Sequence, residues 1–361
     1  MKNVVIIGGG PAGCAAAIVL ARGGAQVTLV ESDATPRPAT VESLPPQTGR
    51  LLRELGVWKS FLATAPVPSP GNLSLWGDDI PRATDFIFNP YGNGWHIERR
   101  RFDAMLLNEA QRAGAVIVSG RAVRVRREAG AWLVLVQSVQ GVFAEFAAGF
   151  VVWAGGRNAP LPAAFSATRR KLDSLMAVAA FCLEDGTSKD SRTWTEAARD
   201  GWWYASPALD GRHLIAFFTD ADIIPARDRV SWWREMLTAT RLISRRVPRF
   251  DSPPALHTFC ASTASTEPAA GGSWMAIGDA ALAFDPLSST GTTFALASGK
   301  FAAGELLGQQ PPGEYAAWTA RHLSHYKRGH HGNYSLEHRW PDAVFWSGRH
   351  AQENAAAAVM R

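Results

Sequence analysis

Residues 4–31 restrict the possible fold more than any other stretch of the chain. Val4-Val5-Ile6-Ile7 has no polar side chain and reads as a strand buried on both faces. Gly8-Gly9-Gly10-Pro11-Ala12-Gly13 follows and fits G-x-G-x-x-G. Cys14 to Arg22 is an alanine-rich helix, Gly23-Gly24 ends it, and Gln26 to Val30 is a second strand closing on Glu31. Strand, glycine turn, helix, strand and acid, in that order, describe a dinucleotide-binding βαβ unit. Gly8 permits the tight turn, Gly10 lets backbone amides reach a pyrophosphate, and Gly13 lets the helix pack on the strand. Pro11 and Ala12 open the helix, whose N-terminus offers partial positive charge to the phosphates. Glu31 is placed to accept from a ribose 2′-hydroxyl and to repel a 2′-phosphate.

A later segment selects the dinucleotide. Ser273 to Ala281 reads as a buried strand ending in Gly278-Asp279. Asp285-Pro286-Leu287-Ser288-Ser289-Thr290-Gly291 then leads into a helix from Thr292 to Leu307. Asp279 suits a ribityl hydroxyl. The helix starting near Gly291 points its first amides at the N1/O2 edge of a flavin, where negative charge builds on reduction. The two segments together point to FAD, with Pro286, Ser289, Thr290, Gly291 and Thr292 near the ring.

Composition narrows the class. At 361 residues, with domains of roughly 150 residues, two domains are expected. Apolar residues make up 47% and charged residues 19%, enough for a core and against disorder. The net charge of +5 is spread out; Arg99-Arg100-Arg101 and Arg245-Arg246 read as surface or cofactor contacts rather than a nucleic-acid footprint. Cys14, Cys182 and Cys260 are odd in number and lack metal or CxxC spacing, which predicts free thiols and a cytoplasmic location. Residues 3–21 are uncharged, but three glycines and Pro11 match a nucleotide loop better than a membrane span. His322, His325, His330, His331 and His338 lack ordered ligand spacing, so no metal is expected.

The expected fold is α/β: a Rossmann-like FAD-binding domain, a second antiparallel-sheet substrate domain and C-terminal helices. The first is assembled from 1–71, 98–165 and 271–308, the second from 72–97 and 166–270, and 309–361 is a C-terminal helical segment. Phe150–Ala154 reads as a buried strand running into Gly155-Gly156-Arg157 near the ADP half. In the second domain, strands are predicted at Leu175–Leu183, Gly201–Ala205 and Leu214–Thr219, with a hairpin turn at Asp210-Gly211. Arg229 to Arg246 reads as one amphipathic helix stopped by Pro248, and Ala355–Ala358 as part of a frayed tail.

Five ordered blocks carry a resemblance. They are Gly8-x-Gly10-x-x-Gly13 with Glu31; Glu42-Ser43-Leu44-Pro45-Pro46; Arg99 with Arg101-Phe102-Asp103; Gly201-Trp202-Trp203-Tyr204-Ala205-Ser206-Pro207; and Gly278-Asp279 through Asp285-Pro286-x-x-Ser289-x-Gly291. Together they resemble the flavin-dependent monooxygenases of the para-hydroxybenzoate hydroxylase type, and within them the tryptophan-halogenase-like branch. The resemblance implies FAD as cofactor, with Ser43 and Arg99 beside it. It also implies O2 as co-substrate, and either NAD(P)H or a separate flavin reductase as electron source, since only one dinucleotide fingerprint is present. Flavin halogenases carry a lysine roughly thirty residues beyond the Glu-Ser-x-x-Pro block; here Pro66 to Trp76 contains none. Their W-x-W-x-I-P motif differs at its third and fifth positions, and the acid many carry after Asp-Pro-Leu is Ser288 here. The Glu-Ser-Leu-Pro-Pro block, the Gly-Trp-Trp-Tyr-x-x-Pro strand and Arg339-Trp340-Pro341…Phe345-Trp346 also resemble the maturase flavoproteins of tryptophylquinone-dependent amine oxidases.

These features lead to an FAD-dependent monooxygenase that hydroxylates an aromatic ring. The ring belongs either to a small molecule or to a Trp or Tyr side chain of a partner protein. A halogenase, and a reductase or dehydrogenase without oxygen insertion, are the alternatives. His96 is the candidate general base, and Asp285 a candidate to bind substrate or steady its loop. Trp202 and Tyr204 share a strand face and, with Pro207, are candidates to line an aromatic pocket.

Overall fold

The computed structural model describes residues 2–32, 41–183, 190–208, 211–246 and 254–350. Strand β1 (Asn3–Ile7) runs through the middle of a six-stranded sheet, and Val4, Val5 and Ile6 are buried on both faces. It pairs in parallel with β2 (Gln26–Glu31) on one side and Phe150–Trp153 on the other. Val116–Ser119 extends the sheet beyond β2, and Trp274–Ala276 extends it beyond Phe150–Trp153, all in parallel. A parallel sheet must be covered on both faces, which is why its strands lack alternation. Helix α1 (Pro11–Arg22) links β1 to β2, with Pro11 at the first helical position where its missing N–H costs nothing.

The connections carry the site. Strand β3 (Val41–Leu44) pairs antiparallel with Gly94–Glu98, which also pairs with Val67–Ser69. Helices α2 (Thr48–Glu54) and α3 (Trp58–Ala63) follow β3, and α4 (Arg99–Arg112) leaves directly from Gly94–Glu98. A seven-stranded sheet forms the second layer system. Its order is His257–Cys260, Leu175–Leu183, Arg212–Asp220, Gly201–Pro207, Thr193–Ala198, Gly71–Leu75 and Arg82–Asp85. It is antiparallel except between Thr193–Ala198 and Gly71–Leu75, which run parallel. That exception to the predicted antiparallel sheet has a topological cause. Between those two strands the chain leaves to form Val116–Ser119 and Phe150–Trp153 of the six-stranded sheet, and a parallel pair needs such a long crossover.

Two sequence expectations are corrected. Arg229 to Arg246 is not one helix: α5 (Arg229–Thr238) ends, and a separate short turn covers Ile243–Arg246. The break is held by the buried carboxylate of Glu196, which accepts from the amides of Arg241 (2.6 Å), Leu242 (2.8 Å) and Ile243 (2.9 Å). The strand before Gly278-Asp279 stops at Ala276, because Gly278 turns the chain at φ +58° into a short Gly278–Ala280 turn. The predicted Asp210-Gly211 turn, the Pro248 stop and the Ala355–Ala358 tail involve residues outside the described ones.

Helix α6 (Gly291–Leu306) packs on α1, and α7 (Glu314–Tyr334) on α6. Residues after α7 return to the large sheet. Phe345 and Trp346 pack with Tyr334, Trp202 and Phe218 on one face, while Trp203, Phe217, Trp233 and Ile243 fill the other beneath α5. The strand alternation that separates Trp202 from Trp203 therefore divides two aromatic cores.

Candidate cofactor and active site

The glycine turn is tight inside and open outside. Gly8 sits at φ +111°, and a Cβ there would lie 2.2 Å from the Ala154 carbonyl oxygen. A Cβ on Gly13 would lie 1.9 Å from the Gly8 carbonyl oxygen, whereas one on Gly10 would meet nothing within 4 Å. Among the described residues no side chain caps α1, so its first-turn amides stay available to a phosphate. The Glu31 carboxylate folds back onto the Gly9 amide. Cys14 is sealed beneath the turn, its thiol donating to the Gly9 carbonyl at 3.0 Å, and burial raises its pKa. The cradle therefore fits the pyrophosphate and ribose of FAD on its shape and donors.

Asp279 lies at the carboxyl end of the same sheet, where ligands of open α/β sheets bind. Arg157 Nε approaches its carboxylate at 3.3 Å, while the Arg157 guanidinium also donates to the carbonyls of Ser262 and Phe284, each at 2.8 Å. Arg169 donates to the carbonyls of Asp279 and Ala280, each at 2.8 Å. Two arginines thus clamp the Gly278–Ala280 turn.

A third cluster forms at the start of α6. The antiparallel register sets Val41 opposite Glu98, so Glu42 lies against the first turn of α4. Glu42 pairs with Arg99 and accepts from the Thr292 hydroxyl at 2.6 Å. Arg99 also reaches the Asp103 carboxylate at 3.2 and 3.3 Å, and Thr48 and Thr293 share a hydroxyl hydrogen bond of 2.6 Å. Burial pushes the Glu42 carboxyl up, but Arg99 and Thr292 more than offset it and hold the group below the ordinary carboxylate range.

The candidate catalytic residues are deeply placed. His96 is 0% exposed; Nε2 donates to the Ser191 carbonyl at 2.6 Å, so Nδ1 accepts from the Ser43 hydroxyl at 2.9 Å. Ser43 also bonds Tyr204 Oη at 2.6 Å and Thr193 Oγ1 at 3.0 Å. Burial, the dominant cause, lowers the His96 pKa to about 4, so it is neutral at pH 7. Both ring nitrogens are engaged within the protein, and the geometry makes His96 a partner of Ser43 rather than a base facing a cavity. Asp285 is 1% exposed. Its Oδ1 accepts from the Leu287 amide at 2.8 Å and its Oδ2 from Tyr334 Oη at 2.7 Å and His330 Nε2 at 3.1 Å. Of the two roles expected for it, this arrangement favours steadying the loop.

Trp202 departs from its expected place. It is 1% exposed, stacked on Phe218 with centroids 4.0 Å apart, and its indole N–H donates to Tyr334 Oη at 2.9 Å. It is core rather than pocket wall. Tyr204 is half-buried on the same strand face and meets Ser43, and Pro207 lies at the strand end opposite His213. Of the loop residues expected at the ring, Ser289 is exposed, while Pro286, Thr290, Gly291 and Thr292 are half-buried. Among the described residues no cluster of three or more His, Cys, Asp or Glu is placed to hold a metal, and no helix is long and apolar enough to cross a membrane.

The FAD binding domain family matches residues 1–298. The chain belongs to the FAD-binding domain family. This flavoprotein is an FAD-dependent oxidoreductase. It is 28% identical to LodB of Marinomonas mediterranea, named as an FAD-dependent oxidoreductase, over 97% of both chains. Among solved structures it is similar to CmlS, a flavin-dependent halogenase, at 25% identity and a TM-score of 0.84, covering 96% of this chain and 67% of that one. It shares its fold with QhpG, a peptidyl tryptophan dihydroxylase essential for tryptophylquinone cofactor biogenesis, at 24% identity and a TM-score of 0.79, covering 97% and 78%.

The sequence reading missed Glu42, Arg169, His330 and Tyr334 as parts of the flavoprotein's site. Glu42 alone carried a signal, because it stands beside Ser43 in a recognised block. The others act over separations of 45 to 111 residues and have no local pattern.

Proposed function

We propose that this flavoprotein inserts oxygen from O2 into an aromatic ring, with a Trp or Tyr side chain of a partner protein as the leading substrate and a small aromatic molecule as the other. The carrying observation is the missing lysine. None occurs between Lys59 and Lys171, and Lys59 is exposed on α3. Of the stretch where halogenases carry theirs, Pro66 to Trp76, Val67–Ser69 forms a strand beside His96 here, with Val67 opposite that residue. Without an amine to capture hypohalous acid, direct oxygen delivery is the simpler chemistry. QhpG acts on peptidyl tryptophan, and its likeness in fold supports a protein-borne ring.

Bound FAD supplies the reducing electrons that activate O2. NAD(P)H or a separate flavin reductase provides those electrons, in the cytoplasm. The chain's residues would do the placing: the Gly8–Gly13 turn and α1 would hold the phosphates, Glu31 the ribose and Asp279 the ribityl chain, with the Gly291 end of α6 toward the ring. Arg99 and Ser43 would hold the cofactor on the β3 side. Tyr204, through Ser43, joins the cofactor side to the large sheet.

The test is to supply FAD-loaded protein with a reductant, O2 and tryptophan- or tyrosine-bearing peptides or free phenols and indoles. Products are read by mass spectrometry. A gain of 16 Da on the ring is expected; hydrogen peroxide alone with every ring offered would defeat the proposal. The CmlS likeness favours halogenation as the second reading, and a brominated product on adding bromide would establish it.

A further inference from the structure

Helix α6 begins at Gly291 with no side-chain cap among the described residues, and its first turn carries about half a positive charge. A carboxylate nonetheless sits at that end. Glu42, 250 residues earlier, accepts from the hydroxyl of Thr292, the second residue of the helix. Its other oxygen takes Arg99, which is itself shared with Asp103. Arg99 is thus shared between two carboxylates, and Arg157 is a further cation acting on Glu42. The Glu42 side chain is still 36% exposed, so its charge is not walled off from a ligand in the cleft.

We propose that Glu42 is a positioning residue that ties the start of α6 to β3 and holds down the midpoint potential of the bound flavin. The inference rests on the reading that the flavin ring meets the Gly291 end of α6. Reduction adds two electrons and one proton, which leaves one net negative charge on the ring. The helix end favours that charge, and the Glu42 carboxylate opposes it. A lower potential makes the reduced ring a stronger electron donor to O2. Removing one unit charge about 10 Å away, at an effective dielectric constant near 20, changes the ratio of reduced to oxidised flavin by about tenfold. For a two-electron couple that is about 30 mV.

The experiment measures the midpoint potential of FAD-loaded protein by anaerobic titration against a reference dye. Glu42→Gln keeps the shape and removes the charge, and its potential should rise by about 30 mV. Thr292→Val leaves the carboxylate on Arg99 but releases it from the helix, and should give a smaller rise. Ser289→Asp adds a charge at an exposed position of φ +50°, a conformation Asp tolerates, just before α6, and should lower the potential. If Ser289→Asp lowers it while Glu42→Gln and Thr292→Val leave it unchanged, the role of Glu42 is refuted and the flavin placement stands. If none of the three moves it, the ring is not at α6 and the placement itself fails. Should Glu42→Gln not retain FAD, Thr292→Val decides: a rise supports the role and no change overturns it.

Discussion

Changing Asp285 to Asn separates a scaffolding carboxylate from a catalytic one. In the native protein one oxygen accepts from the Leu287 amide and the other from both Tyr334 and His330. Asn keeps a single acceptor. If that oxygen stays on Leu287, the new amide N–H groups face two donors in a site that is 1% exposed. Hydrogen bonds to a charged group contribute roughly 1.5–3 kcal/mol each, so losing two costs about 3–6 kcal/mol. At roughly 2–4 °C per kcal/mol, the melting temperature should fall by about 10 °C. Tyr334→Phe removes one of the two bonds together with the bond that Tyr334 accepts from Trp202, and should lose somewhat more than half as much. Burial pushes the Asp285 carboxyl up, but His330, the Leu287 amide and Tyr334 together hold it below the ordinary range. A lowered carboxyl contributes stability above its unfolded pKa of about 3.9 and loses it as pH falls further. The gap between wild type and Asp285→Asn should therefore be full at pH 7 and close below about pH 4. Thermal unfolding of FAD-loaded protein across that range is the assay. An Asp285→Asn protein that melts like wild type but no longer turns over would refute the scaffolding role.

Three further outcomes are expected. His96 titrates near 4 in the fold and near 6.5 in the unfolded chain, so acid protonates the unfolded state first; stability should fall between about pH 6.5 and 4 by up to about 3 kcal/mol, and His96→Gln should remove that slope in urea unfolding. Gly13→Ala drives a methyl group to 1.9 Å from the Gly8 carbonyl oxygen and should lower FAD affinity at least about a hundredfold, read by flavin fluorescence; undiminished binding would show that the cradle lies elsewhere. Trp202→Phe keeps a ring against Phe218 but loses the bond to Tyr334, and should cost about 1 kcal/mol with KM unchanged; a raised KM would return Trp202 to the pocket.

The features legible in the sequence are those whose cause is local. A parallel strand buried on both faces, a turn needing glycine and a helix opened by proline lie within 31 consecutive residues, so spacing alone exposes them. The pairing of Glu42 with Arg99 spans 57 residues and exists only because β3 lies antiparallel to Gly94–Glu98. The break in the predicted Arg229–Arg246 helix comes from Glu196, more than 40 residues upstream, whose carboxylate offers three amides a better partner than the helix would. Trp202 was misplaced for the same kind of reason. Its strand face was read correctly from alternation, but what covers that face is Phe345 and Trp346 from the far end of the chain.

These long-range contacts converge on one stretch. From one side, Glu42 and Thr48 hold the first residues of α6 through Thr292 and Thr293. From the other, α7 holds Asp285 through Tyr334 and His330, and the Tyr326 hydroxyl accepts from the Asp285 amide at 3.0 Å. The segment from 285 to 293 is thus gripped at both ends by groups from opposite ends of the chain. A loop that presents amides to developing charge is effective only if those dipoles are fixed before the charge appears. Tyr334 extends the grip into the large sheet, because it also accepts the Trp202 indole N–H. The aromatic core packed against Trp202 therefore does more than bury surface: it braces, through two hydrogen bonds, the loop leading to the helix end assigned to the flavin.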